Sequence, residues 1–204
     1  MSTFITNQIF MQKTACLITL LFTVVTAHCQ LALKENSSKD YQTTIEEFNK
    51  ANDSTTAEFF YKRGGIRQDH FDFEGAISDY DKNIALDPAN FKAYYNRGLA
   101  KMEVMLFPEA IKDLDKAISI NASQDNAYNN RGICKFMQKK YKASIEDYNK
   151  AIKINPNNAE AYNNRGLSKI RLKRTDEGCE DFSKAYLLGD KKSAAAIEKY
   201  CSHK

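Results

Sequence analysis

Tyr61-Lys62-Arg63-Gly64, Tyr95-Asn96-Arg97-Gly98, Asn129-Asn130-Arg131-Gly132 and Asn163-Asn164-Arg165-Gly166 decide how this chain is read. Their Arg-Gly pair recurs every 34 residues, three intervals running. An aspartate keeps the same step (Asp79, Asp113, Asp147, Asp181), as does a lysine (Lys82, Lys116, Lys150, Lys184). An aromatic residue or leucine follows it too, at Tyr80, Leu114, Tyr148 and Phe182. A fixed period of this length marks stacked copies of one structural unit, none of which can bury its apolar face alone.

The copies run 57–90, 91–124, 125–158 and 159–190. In the third, Tyr128, Gly132 and Phe136 lie four apart on one face of a first helix. Tyr141, Ile145, Tyr148 and Ile152 mark the apolar face of a second. Gln138 to Lys140 is the expected turn between them. Asn155-Pro156-Asn157 ends the unit, because proline cannot continue a helix and biases its predecessor out of helical geometry. A glycine inside a helix costs about 1 kcal/mol against alanine. Four at one position imply that a neighbouring helix approaches closely there.

The bulk composition fits a folded protein. Of 204 residues 43% are hydrophobic and 27% charged, with only 3 Pro and 8 Gly, which argues against disorder. The net charge of +4 is scattered, with no basic tract of the kind nucleic-acid binders concentrate, so nucleic acid is not an expected partner. Upstream, no charge interrupts Thr14 to Leu33, and Ala15–Ala27 has the length of a signal-peptide apolar core. It is short for a bilayer span. Residues 1–29 are therefore read as a signal peptide cut after Cys29, and the chain as extracytoplasmic, periplasmic or secreted. A retained N-terminal membrane anchor is the alternative. Thr26-Ala27-His28-Cys29 also resembles a bacterial lipobox, with His28 where that motif needs a small residue. Residues 30–56 read as a linker with a degenerate half-repeat, since Tyr41, Ile45, Phe48 and Ala51 fall at helical spacing.

The repeated pattern resembles the tetratricopeptide repeat over residues 57–190. Phe60, Tyr94, Tyr128 and Tyr162 match its fourth position, and the four Arg-Gly glycines its eighth. Ala76 and Ala110 match its twentieth, with Ser144 and Gly178 in the later units. Ala117, Ala151 and Ala185 match its twenty-seventh, where the first unit has Asn83. The resemblance implies an all-α, right-handed superhelical solenoid of antiparallel helix pairs: four repeats, a half-repeat and a C-terminal capping helix over 191–204. It also implies an interaction scaffold gripping a peptide or partner protein along a concave face. A structural subunit of an envelope or secreted assembly, using its outer face or caps, is the second reading.

Two positions depart from the family. Its leucine at position seven is always arginine here (Arg63, Arg97, Arg131, Arg165), and its tyrosine at eleven is basic (Arg67, Lys101, Lys135, Lys169). Acidic residues repeat in step, so an ion-pair ladder to Asp79, Asp113, Asp147 and Asp181 is expected. A row of arginines offered to an anionic ligand is the alternative. The family's groove positions hold Tyr61, Tyr95, Asn129 and Asn163 in one row, with Met102 and Phe136 in another. Its carboxylate-clamp adaptors carry lysine at position five and asparagine at nine. Neither occurs here in any unit, so a chaperone's acidic tail is not an expected ligand.

Past the fourth unit, Gly189-Asp190 breaks the pattern and Asp190 is placed to cap a last helix whose apolar side is read as Ala194 to Ile197. Downstream of the signal lie Cys134, Cys179 and Cys201. They read either as buried apolar filler or, outside the cytoplasm, as including a Cys179–Cys201 disulfide that pins the cap. His70 and His203 have no nucleophile or metal ligand at useful spacing. No HExxH, paired CxxC, G-x-S-x-G or phosphate-cradling loop is present. No catalytic residue, metal or cofactor is expected.

Overall fold

The computed structural model describes residues 40–201; the expected signal peptide, residues 30–39 and the last three residues lie outside them. The chain divides into two units, residues 1–52 and 53–204. In the first, residues 40–51 form helix α1. The second consists of α2 (Ala57–Asp69), α3 (Phe73–Leu86), α4 (Phe91–Glu103), α5 (Phe107–Ile120), α6 (Asp125–Met137), α7 (Tyr141–Ile154), α8 (Ala159–Arg171), α9 (Thr175–Leu187) and α10 (Lys192–Cys201). No strand occurs among the described residues.

Local chemistry sets these boundaries. Thr56, Asp72, Asn90 and Asn158 each accept, on a side-chain oxygen, a hydrogen bond from the backbone N–H three residues on, which satisfies a donor at the helix start. Each first helix of a pair ends in a left-handed residue at one repeat position: Phe71, Met105, Lys139 and Lys173, with φ between 60° and 63°. Around it the chain makes the paired bonds of a Schellman turn; in the third unit Lys139 N–H donates to Phe136 O (2.8 Å) and Lys140 N–H to Lys135 O (2.9 Å).

The pairs then stack in sequence, since from α2 to α10 each helix packs on the one that follows it. Successive first helices (α2, α4, α6, α8) also touch one another, whereas successive second helices make no comparable contact. The first helices therefore lie on the inner side of the curve. Small and aromatic residues fill the interior: Ala76, Tyr80, Ala100, Ala110, Leu114, Cys134 and Phe182 are all fully buried. The repeated glycines make this possible. A Cβ on Gly132 would lie 2.6 Å from the Tyr148 ring. One on Gly166 would lie 2.7 Å from Phe182 and 2.9 Å from the carbonyl oxygen of Gly178. Gly98 faces the thinner Leu114, and a Cβ there would meet nothing closer than 3.2 Å. Asn83, the departure at position twenty-seven, is buried but satisfied: it donates to Ala57 O (2.7 Å) and accepts from Asn90 (3.1 Å).

The last helix sits differently from the expectation for Ala194 to Ile197. Ala194 and Ala195 are exposed, while Ser193 is fully buried and Ala196, Ile197, Tyr200 and Cys201 are partly covered. The physical reason is the set of fastenings that fixes the roll of α10. Ser193 Oγ lies 2.7 Å from Asp190 and 3.1 Å from Asn163, the Tyr200 ring stacks on Phe182, and Cys201 is disulfide-bonded to Cys179. The buried side accordingly follows the spacing 193, 196, 197, 200, 201, which a helix places on one face.

Candidate interaction surface and ion-pair ladder

The arginine of each first helix points at the aspartate sixteen residues on, in the second helix of its own pair. Nε donates to Oδ2 at 2.8–3.0 Å and Nη2 to Oδ1 at 2.5–2.6 Å in all four units. This is the two-pronged geometry that suits guanidinium to carboxylate. One turn further along the same helix a second cation reaches the same aspartate. Lys101, Lys135 and Lys169 approach Asp113, Asp147 and Asp181 at 2.7–2.8 Å, and Arg67 approaches Asp79 at 3.2 Å. The four aspartates are 0–4% exposed, so each buried negative charge is met by two positive ones.

The remaining arginine arm ties one unit to the one before. Arg97 Nη1 reaches Asp81, Arg131 Nη1 reaches Asp115 and Arg165 Nη1 reaches Asn149 (2.6 Å). Burial opposes the charge on Arg97, but hydrogen bonds and attraction from Asp113 and Asp81 outweigh it and raise its pKa; Arg131 behaves likewise with Asp147 and Asp115. The guanidinium faces also lie over the aromatic three residues earlier on the repeat pattern, 5.5 Å for Arg97 on Tyr94 and 5.3 Å for Arg165 on Tyr162. These arginines are engaged within the solenoid.

The expected groove row is placed differently from a free ligand-facing row. Asn96 donates to the Tyr61 hydroxyl (3.2 Å), Asn130 to the Tyr95 hydroxyl (2.9 Å) and Asn164 to Asn129 Oδ1 (3.2 Å). Ser193 repeats the link to Asn163. The row is thus a second ladder between units. Asn129 is 1% exposed, which corrects the reading of its amide as open to a ligand. Tyr61 packs beside Tyr80, and Tyr95 and Met102 pack against the core of the second unit. Burial raises the pKa of Tyr95. Phe136 makes an edge-to-face contact with Tyr141 at 5.3 Å. Tyr61, Tyr95, Met102 and Phe136 remain partly accessible, as do Leu99, Ile133, Leu167 and Ile170, and Met137 is 53% exposed. The asparagines at position six are the members that sequence reasoning missed; their recurrence at Asn96, Asn130 and Asn164 was the available signal.

Cys134 is free and fully buried, and burial pushes its thiol up to about 12. No group of three or more His, Cys, Asp or Glu suited to a metal occurs among the described residues, and no described helix is long and apolar enough to cross a membrane.

Helix hairpins stacked with one period and fastened by repeated inter-unit ladders define a helical-repeat solenoid. Family models described as tetratricopeptide repeat match residues 126–158 and 147–180, and one described as TPR repeat matches residues 72–104. The chain is a tetratricopeptide-repeat protein. The crystal structure of MamA is similar at 28% identity and a TM-score of 0.69, over 79% of this chain and 95% of that one. The first TPR of Spaghetti (RPAP3), bound to the HSP90 peptide SRMEEVD, is 29% identical with a TM-score of 0.56, over 59% of this chain and 95% of that one. YrrB, described as a TPR protein with an unusual peptide-binding site, shares the fold at 18% identity and a TM-score of 0.68, over 80% and 86%. No curated protein matches the chain.

Proposed function

We propose that this protein is a non-enzymatic scaffold that holds a peptide or a segment of a partner protein along the inner face of its first helices. The observation that carries this reading is the partly accessible apolar stripe of Leu99, Met102, Ile133, Phe136 and Ile170 along the first helices. It is flanked by the tyrosine and asparagine side chains at positions five and six. Adaptable methionine and aromatic contacts beside amide groups suit a ligand with apolar side chains and an extended backbone. The peptide complex of RPAP3 supports peptide capture by this fold. Its HSP90 ligand is not carried over, because this chain lacks lysine at position five and asparagine at position nine.

The same proposal places the protein outside the cytoplasm, behind a signal peptide over residues 1–29. The Cys179–Cys201 disulfide supports that location, since oxidising compartments preserve such bonds. Intact mass of protein from its native source, beginning at Gln30, is the expected result; a mass retaining residues 1–29 favours the anchor. For the groove, affinity capture from the extracytoplasmic fraction compares the native chain with Met102→Glu and Phe136→Glu combined. Capture lost with helicity unchanged supports the inner face. Capture undiminished rejects it.

A further inference from the structure

The turns between paired helices line one edge of the solenoid, because the first helices run parallel side by side and every turn follows the same end of one. That edge is divided. In units one and two the turns present large apolar side chains to solvent, Phe71 at 79% and Met105 at 75% exposure with Leu106 at 45% beside it. No lysine or arginine lies within 69–74 or 103–109, where Asp69, Glu74, Glu103 and Glu109 are exposed and His70 is the one basic side chain. In units three and four the same turn position is Lys139 and Lys173, followed by Lys140 and Arg174, all exposed. Arg174 pairs with Glu177 in its own turn, and Asp176 is the other nearby acid.

We propose that this edge is an interaction surface for a second copy of the chain, paired antiparallel about a two-fold axis between turns two and three. In that arrangement turn one of one copy meets turn four of the other, and turn two meets turn three. Phe71 and Asp69 then face Lys173, and Met105 and Glu103 face Lys139 and Lys140, twice over by symmetry. The apolar side chains lie on the aliphatic stems of the lysines while opposite charges meet beside them. A second copy fits better than other occupants for a specific reason. It carries the complementary half at the same 34-residue step, so registering one pair of turns registers all four. An anionic membrane fits poorly, since the apolar residues available for insertion sit in the acidic half. Pairing here leaves the inner face open.

The test uses the full chain, mixed as heavy-isotope and unlabelled copies and treated with a zero-length carbodiimide that joins lysine to carboxylate. Inter-chain links from Lys173 to Asp69 and from Lys139 or Lys140 to Glu103 are the expected products. By analytical ultracentrifugation, Lys139→Glu with Lys173→Glu weakens self-association by roughly tenfold or more. Adding Asp69→Lys and Glu103→Lys to that chain restores it. The proposal is overturned if the chain stays monomeric, or if self-association ignores the reversal and its rescue. Binding to phosphatidylserine vesicles that depends on Phe71 and Met105, with no inter-chain links, overturns it in favour of a lipid surface.

Discussion

Asp147 accepts from Arg131 and Lys135 while almost wholly buried. Replacing it with alanine takes the carboxylate from Lys135 and leaves Arg131 with Asp115 alone, in a poorly solvated cleft. Asp147→Ala is expected to cost about 3–5 kcal/mol, read as a shift in denaturation midpoint without loss of secondary structure in water. The step of the arginines and aspartates is visible in the sequence as a numerical coincidence. The second cation on each aspartate and the third arm to the preceding unit depend on how helices pack, which spacing alone does not state. The left-handed turn residues give the opposite sign. Lys139 has φ of 61° and points into solvent, so Lys139→Gly relieves a conformation that L residues avoid and should stabilise by about 1 kcal/mol, measured as a raised Tm. Nothing in Gln138-Lys139-Lys140 announces that geometry, because the residue usually chosen for it is missing.

Between helices, the glycine notches predict a graded series. Gly98→Ala presses on Leu114, a side chain that can yield, with the Ala110 carbonyl oxygen at ordinary contact distance (3.5 Å), and the gain in helix propensity offsets the contact; its expected effect lies within about 1 kcal/mol of zero. Gly166→Ala drives a methyl group against the Phe182 ring and a backbone carbonyl. It should lower stability by about 2–3 kcal/mol in the same denaturation assay. The need for glycine could be inferred from its recurrence, but the ranking follows from which ring stands opposite. At the far end, Cys201→Ser removes the bridge to Cys179, 22 residues away in sequence. A loss of about 3 kcal/mol is expected, with hydrogen exchange rising first in α10. Sequence placed a cap here but named its covered side only in part, at Ala196 and Ile197: four consecutive apolar residues span more than one face of a helix, and fastenings at Asp190, Asn163 and Cys179 selected among them.

For the molecule as a whole, the 34-residue period means that units are interchangeable at their joints. Deleting residues 91–124 should bring Arg131 to Asp81 and Asn130 to Tyr61, the same partner positions they meet now. The shortened chain is expected to remain helical by circular dichroism and to unfold at lower denaturant, as loss of one unit and one interface requires. Collapse to a disordered chain would show that the second unit is irreplaceable. The period made the architecture legible from the outset, whereas the burial of Asn129 emerged only from contacts between units. The bond between Cys179 and Cys201 carries a mechanical corollary. A chain pulled by its two termini transmits tension across that bond, so the loop between these cysteines stays slack while it is intact. Adding a reductant should then release roughly 70 Å of extra length in a single-molecule stretching trace.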